Sequence, residues 1–328
     1  MLGLVTDIGG TNARVALVNR LQIKTVRVYP TNKFKQAADI FIRFQNDVGQ
    51  ELPKKWAIAA AGVTTSDRIQ GTNIGWDIVK DELAAAFHLE TCILLNDFEA
   101  AAYGLSIIKK DSLIQISGKH PKNKCTKVLI GAGTGLGEAT CVFCSGDEWK
   151  VLKSEGGHCS FAPTNRIEAR LLAFLSSKYG HVSYERILSG TGLVDLYRFF
   201  LKEQNGIDST IKVERPSQVT SGAKNGDTIC QRTLELFCRI YGEEAGNLAL
   251  KTLPEGGVFI GGGIAIHILD WLQKGTFKNG FESKGRMKSL LETMPVFVVN
   301  EPYLGIYGGA YKLLQASMSK TASPSLGS

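Results

Sequence analysis

Apolar and polar positions along the first third of the chain predict a β-meander followed by alternating strands and helices. Three alternating stretches predict the meander, with a glycine turn after the first: 2–7, 13–18 and 21–29. Continuous apolar runs typical of buried strands follow at 56–61 and 91–96. Helical spacing predicts helices at 36–48, at 78–88 and from Phe98 onward. This part is therefore predicted to be α/β.

The same pattern begins again after residue 127. Strands are predicted at 127–130, 138–143 and 149–154, with a glycine turn over 131–137 after the first. Aligning Thr11 with Thr134 superimposes the two strand–glycine–strand units, which makes an internal duplication a candidate. Its period is too long for a solenoid. Further helices are predicted at 166–179, 193–203, 227–250, 264–273 and 303–318, and further strands at 256–262 and 295–299.

The stretch 109–127 separates the two blocks and carries much of the net charge of +7. Its lysines are not interleaved with aromatic residues, as a surface that binds nucleic acid would require. We therefore expect a solvated, loop-like connection and no nucleic-acid partner. A weak attraction for anionic small molecules stays open.

The lengths of the apolar runs and the placement of the cysteines indicate where the protein is located and whether it binds zinc. No run reaches the ~18 apolar residues of a membrane span, and Asp7 interrupts the stretch where a signal peptide would be apolar. The seven scattered cysteines are typical of reduced thiols, so we expect a cytoplasmic protein without membrane contact. The one C-x-x-C, Cys141 to Cys144, falls in a predicted strand, which sends the thiols to opposite faces and argues against zinc.

Two glycine turns are the first candidate functional elements. Such turns expose backbone N–H groups that bind phosphate, although an ordinary hairpin is the alternative for either alone. No P-loop or dinucleotide-binding glycine pattern occurs in the chain. The candidate residues of the two turns are Asp7, Gly9, Gly10, Thr11, Asn12, Gly133, Thr134 and Gly135.

Polar residues at predicted strand ends and turns form a second group. Asn96 and Asp97 end an apolar strand and precede a helix; helix capping explains Asn96 and leaves Asp97 as a candidate base. Other candidates sit on glycine turns that suit a polyhydroxylated ligand, or that let a ring or phosphate approach the backbone, with ordinary turns and tight packing as the alternatives. They are Glu155, His158, Glu185, Gly261, Gly262 and Gly263.

From about Leu2 to Leu314 the chain resembles the bacterial-type glucokinases of the hexokinase, actin and Hsp70 superfamily. The resemblance rests on motifs in a fixed order: DIGGTNARVAL, LLNDFEAAAYGL, GAGTGLG, SEGGHCSFAP, YGHVSYERILSGTGLVDLY, GNLAL, GGVFIGGGI and FESKGR. It implies a two-domain α/β, actin-like ATPase (ribonuclease H-like) fold with a duplicated core and an interdomain cleft. The related ROK kinases carry a C-x-C-G-x-x-G-C zinc motif that is absent here, which argues against that branch.

The resemblance also implies roles for the candidate residues. The two turns and Gly261 to Gly263 would bind ATP, with Asp7 near Mg²⁺ through water. Asn96, Asp97, Glu155, His158 and Glu185 would bind D-glucose, with Asp97 as the general base. The implied activity is ATP-dependent formation of glucose 6-phosphate, the first step of glycolysis, by a cytoplasmic homodimer.

The resemblance implies domain limits as well. We expect a small domain of residues 1–108 plus about 301–318, a large domain of 109–300 and a disordered tail of 319–328. Mannose, fructose or an N-acetylhexosamine stays open as the substrate, and polyphosphate as the donor. A non-catalytic sugar sensor is also open, although it would need a DNA-binding segment for which residue 2 as the strand start leaves no room.

Overall fold

The computed structural model describes residues 2–71, 74–205 and 213–321. The strands within these ranges are β1 (Leu2–Ile8), β2 (Asn12–Asn19), β3 (Gln22–Pro30), β4 (Lys55–Ala60), β5 (Gly62–Thr64), β6 (Arg68–Gly71), β7 (Ile78–Val79), β8 (Thr91–Asn96), β9 (Leu113–Ser117), β10 (Lys127–Ala132), β11 (Leu136–Ser145), β12 (Glu148–Ser154), β13 (Gly257–Gly261) and β14 (Val296–Val299).

Several of the described α-helices directly follow a strand, and most of them lie in the second half of the chain. They are α1 (Ala37–Val48), α2 (Lys80–Phe87), α3 (Asp97–Gly104), α4 (Arg166–Tyr179), α5 (Gly190–Asn205), α6 (Pro216–Lys224), α7 (Thr228–Thr252), α8 (Gly262–His267), α9 (Leu269–Gln273), α10 (Thr276–Glu282), α11 (Lys288–Leu291) and α12 (Leu304–Thr321). Most of the predicted strands and helices are therefore present, with the exceptions given below.

The first sheet has the strand order β3-β2-β1-β4-β8. Its β1 pairs antiparallel with β2 on one side and parallel with β4 on the other. Helix α1 covers one face, and its Phe41 packs on Trp56 with ring centroids 4.5 Å apart. Phe41 and Trp56 are both fully buried, so this face of the sheet is anchored by large apolar side chains.

The second sheet has the strand order β12-β11-β10-β13-β14-β9. Its first five strands follow one another in the sheet as β3, β2, β1, β4 and β8 do in the first sheet. The long helix α7 buries Phe237 and Tyr241 in the core beside this sheet. The chain is therefore α/β with two mixed sheets of matching strand order.

The stretch 109–127 is not the loop-like connection that its lysines predict, because it contains β9. Ile114 and Ile116 are partly buried against the second core, and β9 pairs antiparallel with β14. The strand is short and lies at the edge of the sheet. From the sequence alone, the many flanking lysines indicate a loop, and the apolar pattern of β9 is too short to indicate a strand.

Other differences concern short elements. The segment 62–79 is predicted as a loop running into a helix at 78. Its residues 62–64, 68–71 and 78–79 form a small sheet of β5, β6 and β7, and α2 begins only at Lys80; residues 72 and 73 lie outside the described residues. The helix predicted over 264–273 is broken at Ile268, whose φ of −113° and ψ of 18° are not helical. The sequence did not predict α6, α10 and α11, and the last two are too short for a clear helical period.

Contacts group the described residues into two units. The first takes residues up to 110, 141–152 and from 301 onward; the second takes 111–140 and 153–300. The expected domains placed 141–152 in the larger part, which is corrected here. Tyr311 Oη donates to Asp147 O at 2.8 Å and accepts from the Trp149 backbone N–H at 2.9 Å, which ties this segment to α12.

The last helix extends further than the sequence predicts. Helix α12 continues to Thr321, beyond the predicted start of the tail at 319, and residues 322–328 lie outside the described residues.

All seven cysteines are free thiols. Cys141 is buried and Cys144 exposed, which confirms that they lie on opposite faces of β11. Among the described helices, none has the length and apolar character needed to cross a bilayer.

Close packing of α3 and α12 depends on glycine. A Cβ at Gly308 would overlap Ala100 O, and a Cβ at Gly104 would overlap Leu304 O. The two helices can therefore approach to backbone distance only because these side chains are absent.

We predict that Gly308→Ala lowers the free energy of unfolding by about 1–3 kcal/mol, because an overpacked contact forces the helices apart. Urea denaturation measures the loss. Gln315→Ala, on the same helix, is the control and should change stability by less than about 0.5 kcal/mol. Equal stability of the two variants would show that the helices accommodate the added methyl group.

Candidate active site

The first glycine turn, between β1 and β2, is held by backbone and threonine hydrogen bonds. The Gly9 N–H donates to Asn12 O at 2.9 Å, and the Thr31 N–H donates to Thr11 O at 3.0 Å. The buried Thr31 Oγ1 also donates to Gly9 O at 2.8 Å. The side chains of Thr11 and Asn12 remain exposed at this fixed turn.

Asp7 lies one residue before the end of β1 and faces Arg14 across the antiparallel pair. Arg14 Nη1 lies 3.2 Å from Asp7 Oδ2, and the Asp7 side chain is 20% exposed. Burial raises the pKa of Asp7, and the nearby Arg14 guanidinium opposes that shift. A Cβ at Gly305, in the first turn of α12, would lie 3.2 Å from Asp7 Cγ. The carboxylate lies between a cation and the start of a helix, which both oppose the rise in its pKa, but burial has the larger effect.

Asn96 and Asp97 occupy the end of β8 and the start of α3. Asn96 Oδ1 accepts from the backbone N–H groups of Phe98 and Glu99, and Glu99 completes the capping box. Asn96 Nδ2 donates to Gly62 O at 3.1 Å, which uses one of its two hydrogens. Asp97 Oδ1 accepts from the Phe98 N–H at 2.9 Å. Local structure thus fixes both side chains at the strand end.

Sheet register brings Asp7 and Asn96 to the same edge of the first sheet. Ile8 pairs with Ala60 in β4, and Ala60 pairs with Asn96 in β8, both in parallel register. Two strand spacings separate β1 from β8, which is roughly 10 Å. The first unit therefore presents the glycine turn, Asp7, Asn96 and Asp97 at the carboxyl ends of its parallel strands, where α/β proteins bind ligands.

The second glycine turn, between β10 and β11, contacts a carboxylate. The Gly133 N–H donates to Gly135 O at 2.8 Å, and the Gly190 N–H donates to Gly133 O at 2.9 Å. The Leu136 N–H donates to Glu185 Oε2 at 3.0 Å. A Cβ at Gly135 would overlap that carboxylate, so a larger residue there would displace the Glu185 side chain. Thr134 is exposed at the tip of the turn.

Gly261 to Gly263 lie beside the second turn. Gly261 pairs with Gly131 in the parallel register of β13 and β10. Gly262 has a φ of 81°, and a Cβ there would overlap Ala132 O, so both conformation and space require glycine. A Cβ at Gly263 would meet open space. Backbone without side chains is therefore exposed at two adjacent strand ends.

Glu155, His158 and Glu185 form one cluster in the second unit. His158 Nδ1 lies 3.9 Å from Glu185 Oε1, and His158 Nε2 lies 3.9 Å from Glu155 Oε2. Both distances exceed a hydrogen bond. The side chains of Glu155 and His158 are mostly exposed and that of Glu185 is 29% exposed. Glu185 therefore contacts both the second glycine turn and the histidine.

Comparison with known proteins gives matches over nearly the whole chain. The sequence profile described as Glucokinase matches residues 4–316. A glucokinase from Chromohalobacter salexigens is 36% identical over 312 residues, which cover 94% of this chain and 97% of that one. The chain belongs to the glucokinase family. This membership confirms the resemblance that the motifs indicate.

Solved structures agree with the family. A crystal structure of glucokinase from an Antarctic psychrotroph is 32% identical, with a TM-score of 0.84 over 96% of this chain and 99% of that one. A ROK family glucokinase from Streptomyces griseus, in complex with glucose and AMPPNP, has a TM-score of 0.67 over 96% of this chain and 100% of that one. At 19% identity, that second likeness is one of fold alone.

Some residues that shape the glucokinase-family site were not predicted. Arg14 pairs with Asp7, and the register of a hairpin with a known turn could have indicated this partner. Gly62, Thr31 and Gly190 act through contacts with residues distant in sequence. No local pattern could have identified these three.

Asp7 is the candidate metal ligand at the first glycine turn. Among the described residues, no group of three His, Cys, Asp or Glu side chains is arranged to hold a metal ion. A divalent cation held by protein groups alone would need more ligands than Asp7 supplies. Mg²⁺ usually keeps several waters and is held by one or two carboxylates together with substrate phosphates. The partly exposed Asp7 carboxylate fits that second arrangement.

We predict that Asn96→Ala lowers the free energy of unfolding by about 1–2 kcal/mol, because α3 loses its side-chain cap. Urea denaturation gives the value. Asn96→Ser keeps a capping oxygen while removing the amide that bonds Gly62 O, so it should recover most of the lost stability. If serine and alanine were equally destabilising, the contact with Gly62 and not the cap would be the source.

Proposed function

We propose that the protein transfers the γ-phosphoryl group of ATP to the 6-hydroxyl of D-glucose. The observation that carries this proposal is the position of Glu185, which accepts from the Leu136 N–H of the second glycine turn and lies 3.9 Å from His158. Groups suited to phosphate and groups suited to sugar hydroxyls thus lie in contact within one unit. Membership of the glucokinase family supports the same reaction.

Asn96 and Asp97 are proposed to bind glucose, with Asp97 as the general base. Asp97 lies at a strand end, where capping by Asn96 holds the backbone in place. Its carboxylate would accept the proton of the 6-hydroxyl as the oxygen attacks phosphorus. Glu155, His158 and Glu185 would bind the other hydroxyls, because carboxylates accept and an imidazole both accepts and donates.

The glycine turns are proposed to bind the nucleotide. Gly9, Gly10, Thr11 and Asn12 form one turn and Gly133, Thr134 and Gly135 the other, with backbone N–H groups that can approach phosphate oxygens. Gly261, Gly262 and Gly263 would lie against the adenosine, since the space at Gly263 is open. When bound, Mg²⁺ would neutralise charge on the phosphates, and Asp7 would hold it through water.

Phosphoryl transfer depends mainly on positioning and charge neutralisation. The residues described here suit those tasks: rigid turns fix the donor, and carboxylates fix the acceptor. Arg14 holds Asp7 in one orientation at the strand end. Water must be kept from competing with glucose as the acceptor, which closure around the substrates would achieve.

We further propose the superfamily, the cellular location and the assembly of the protein. The matching strand order of the two sheets supports a duplicated, actin-like fold of the hexokinase superfamily. The free cysteines support a location in the reducing cytoplasm. There, formation of glucose 6-phosphate would be the first step of glycolysis. A homodimer is proposed from the family resemblance.

A panel of sugars in a coupled assay for ADP release tests the proposed function. Glucose should be the best acceptor with Mg-ATP, ahead of mannose, fructose and N-acetylglucosamine. A better rate with one of these sugars, or with polyphosphate in place of ATP, would replace the proposed substrate. ADP release that does not depend on any sugar would contradict the proposal.

We predict that Asp97→Asn lowers kcat by about 10²–10⁴, because the general base is lost. Glucose binding should persist, since the amide still forms hydrogen bonds, and calorimetric titration measures it. Asp81→Asn, an exposed carboxylate in the first turn of α2, is the matched control and should keep wild-type kcat. Retention of more than about a tenth of kcat in Asp97→Asn would remove it from the role of base.

We predict that Glu185→Gln and Asp7→Asn act on different substrates. Glu185→Gln keeps its shape and loses charge, so KM for glucose should rise by about tenfold while KM for ATP changes little. Asp7→Asn should instead raise the magnesium concentration needed for half-maximal rate and leave KM for glucose nearly unchanged. The reverse pattern in steady-state kinetics would exchange the assignment of the two residues.

A further inference from the structure

Two buried carboxyl groups, Glu138 on β11 and Glu244 on α7, face each other in the second unit. Their residues are 3% and 1% exposed. The side chains are within hydrogen-bonding reach of each other. Yet Glu138 Oε1 and Glu244 Oε1 are both without a hydrogen-bond donor in the part of the chain that the structure describes. A single proton between them would satisfy both oxygens and remove the repulsion of two buried charges.

The surroundings favour such a shared proton near neutral pH. Burial, reinforced by Glu244, raises the pKa of Glu138 to about 7. Burial also raises the pKa of Glu244, against the opposing effect of neighbouring donors and cations. The charged and titratable groups that face the pair are Lys251, Lys284, Tyr184 and Tyr241. Both tyrosines have pKa values raised by burial, so they stay neutral over the relevant range.

Each carboxyl group contacts a turn that carries proposed glucose ligands. Glu138 Oε2 lies so close to Gly156 that a Cβ there would overlap it, and Gly156 sits between Glu155 and His158. Glu244 is hydrogen-bonded to Tyr184, the residue before Glu185.

Asn247 reinforces the second of these contacts. Its Nδ2 donates to Glu244 Oε2 at 2.8 Å and lies 3.2 Å from Tyr184 Oη. The carboxyl pair therefore links the two short turns Gly156–His158 and Tyr184–Arg186, since one carboxyl group contacts each turn.

We propose that Glu138 and Glu244 are positioning residues that hold these two turns in the glucose-binding arrangement while they share one proton. Loss of that proton places two negative charges side by side and pushes the turns apart. This inference rests on the proposed function, because it concerns how the glucose ligands are oriented. Glucose binding should consequently weaken as pH rises past neutrality, while ATP binding is little affected.

The test compares kcat and KM for glucose at saturating Mg-ATP from about pH 6 to about pH 9. In the wild type, kcat/KM for glucose should fall by about tenfold over the alkaline part of this range through a rising KM. Glu138→Gln places a permanent donor next to Glu244, so its KM should stay nearly constant with pH. If Glu138→Gln does not fold, Glu244→Gln is the second variant and carries the same expectation.

Glu243→Gln is the matched control. Glu243 neighbours Glu244 on α7, is 2% exposed, and burial likewise raises its pKa to about 7. It contacts Thr164 and Arg239 instead of the two turns. Glu243→Gln should keep the wild-type rise of KM with pH. The proposal is overturned if Glu138→Gln keeps that rise, if Glu243→Gln abolishes it, or if the wild-type loss lies in kcat.

A second readout does not depend on catalysis. An ordinary glutamate pKa of 4.5 in the unfolded chain and about 7 in the folded one means that folding takes up a proton between these values. Stability of the wild type should therefore fall relative to Glu138→Gln as pH rises from 4.5 to about 7, seen as a growing Tm difference. A difference that is constant with pH overturns the shared proton. Absence of glucose-dependent ADP release at every pH would overturn the proposed function instead.

Discussion

The candidate site depends on one constraint. Strands β1 and β10, which lie inside the first and second sheets, each turn back immediately where they end. β1 is paired on both sides, antiparallel to β2 and parallel to β4, and β10 lies between β11 and β13. Only residues 9–11 separate β1 from β2, and only residues 133–135 separate β10 from β11, its neighbour in the sheet, so the chain has to reverse within a few residues. Glycine turns achieve this and leave backbone N–H groups exposed at the end of each strand. The geometry that we propose for phosphate binding is thus a consequence of how the sheets are built.

Some of the side chains that we propose as glucose ligands also stabilise the local backbone. Asn96 caps α3 and bonds Gly62 O, and Glu185 accepts from the Leu136 N–H. Their orientation is therefore fixed before any substrate arrives, which lowers the entropic cost of binding. Exposure differs accordingly, because Glu155 and His158 are the most exposed of the proposed glucose ligands.

The sequence predicts those features that depend on residues close together in the chain. Both glycine turns, the capping box at Asn96 and most strands follow from local patterns. Features that depend on distant residues were missed: the pairing of β9 with β14, the attachment of 141–152 to α12, and the contact of Glu138 with Glu244. Glu244 in particular lies within an apolar helix pattern, where nothing marks its partner on a strand more than a hundred residues earlier.

Identification of the phosphorylated position tests the central claim most directly. Phosphorus NMR would follow the wild-type protein with Mg-ATP and glucose labelled with carbon-13 at C6. The account predicts a new monoester resonance that is split by the labelled carbon and that grows as the γ-phosphate signal disappears. A new resonance without that splitting would place the phosphate on another hydroxyl, and loss of ATP to free phosphate alone would contradict sugar phosphorylation.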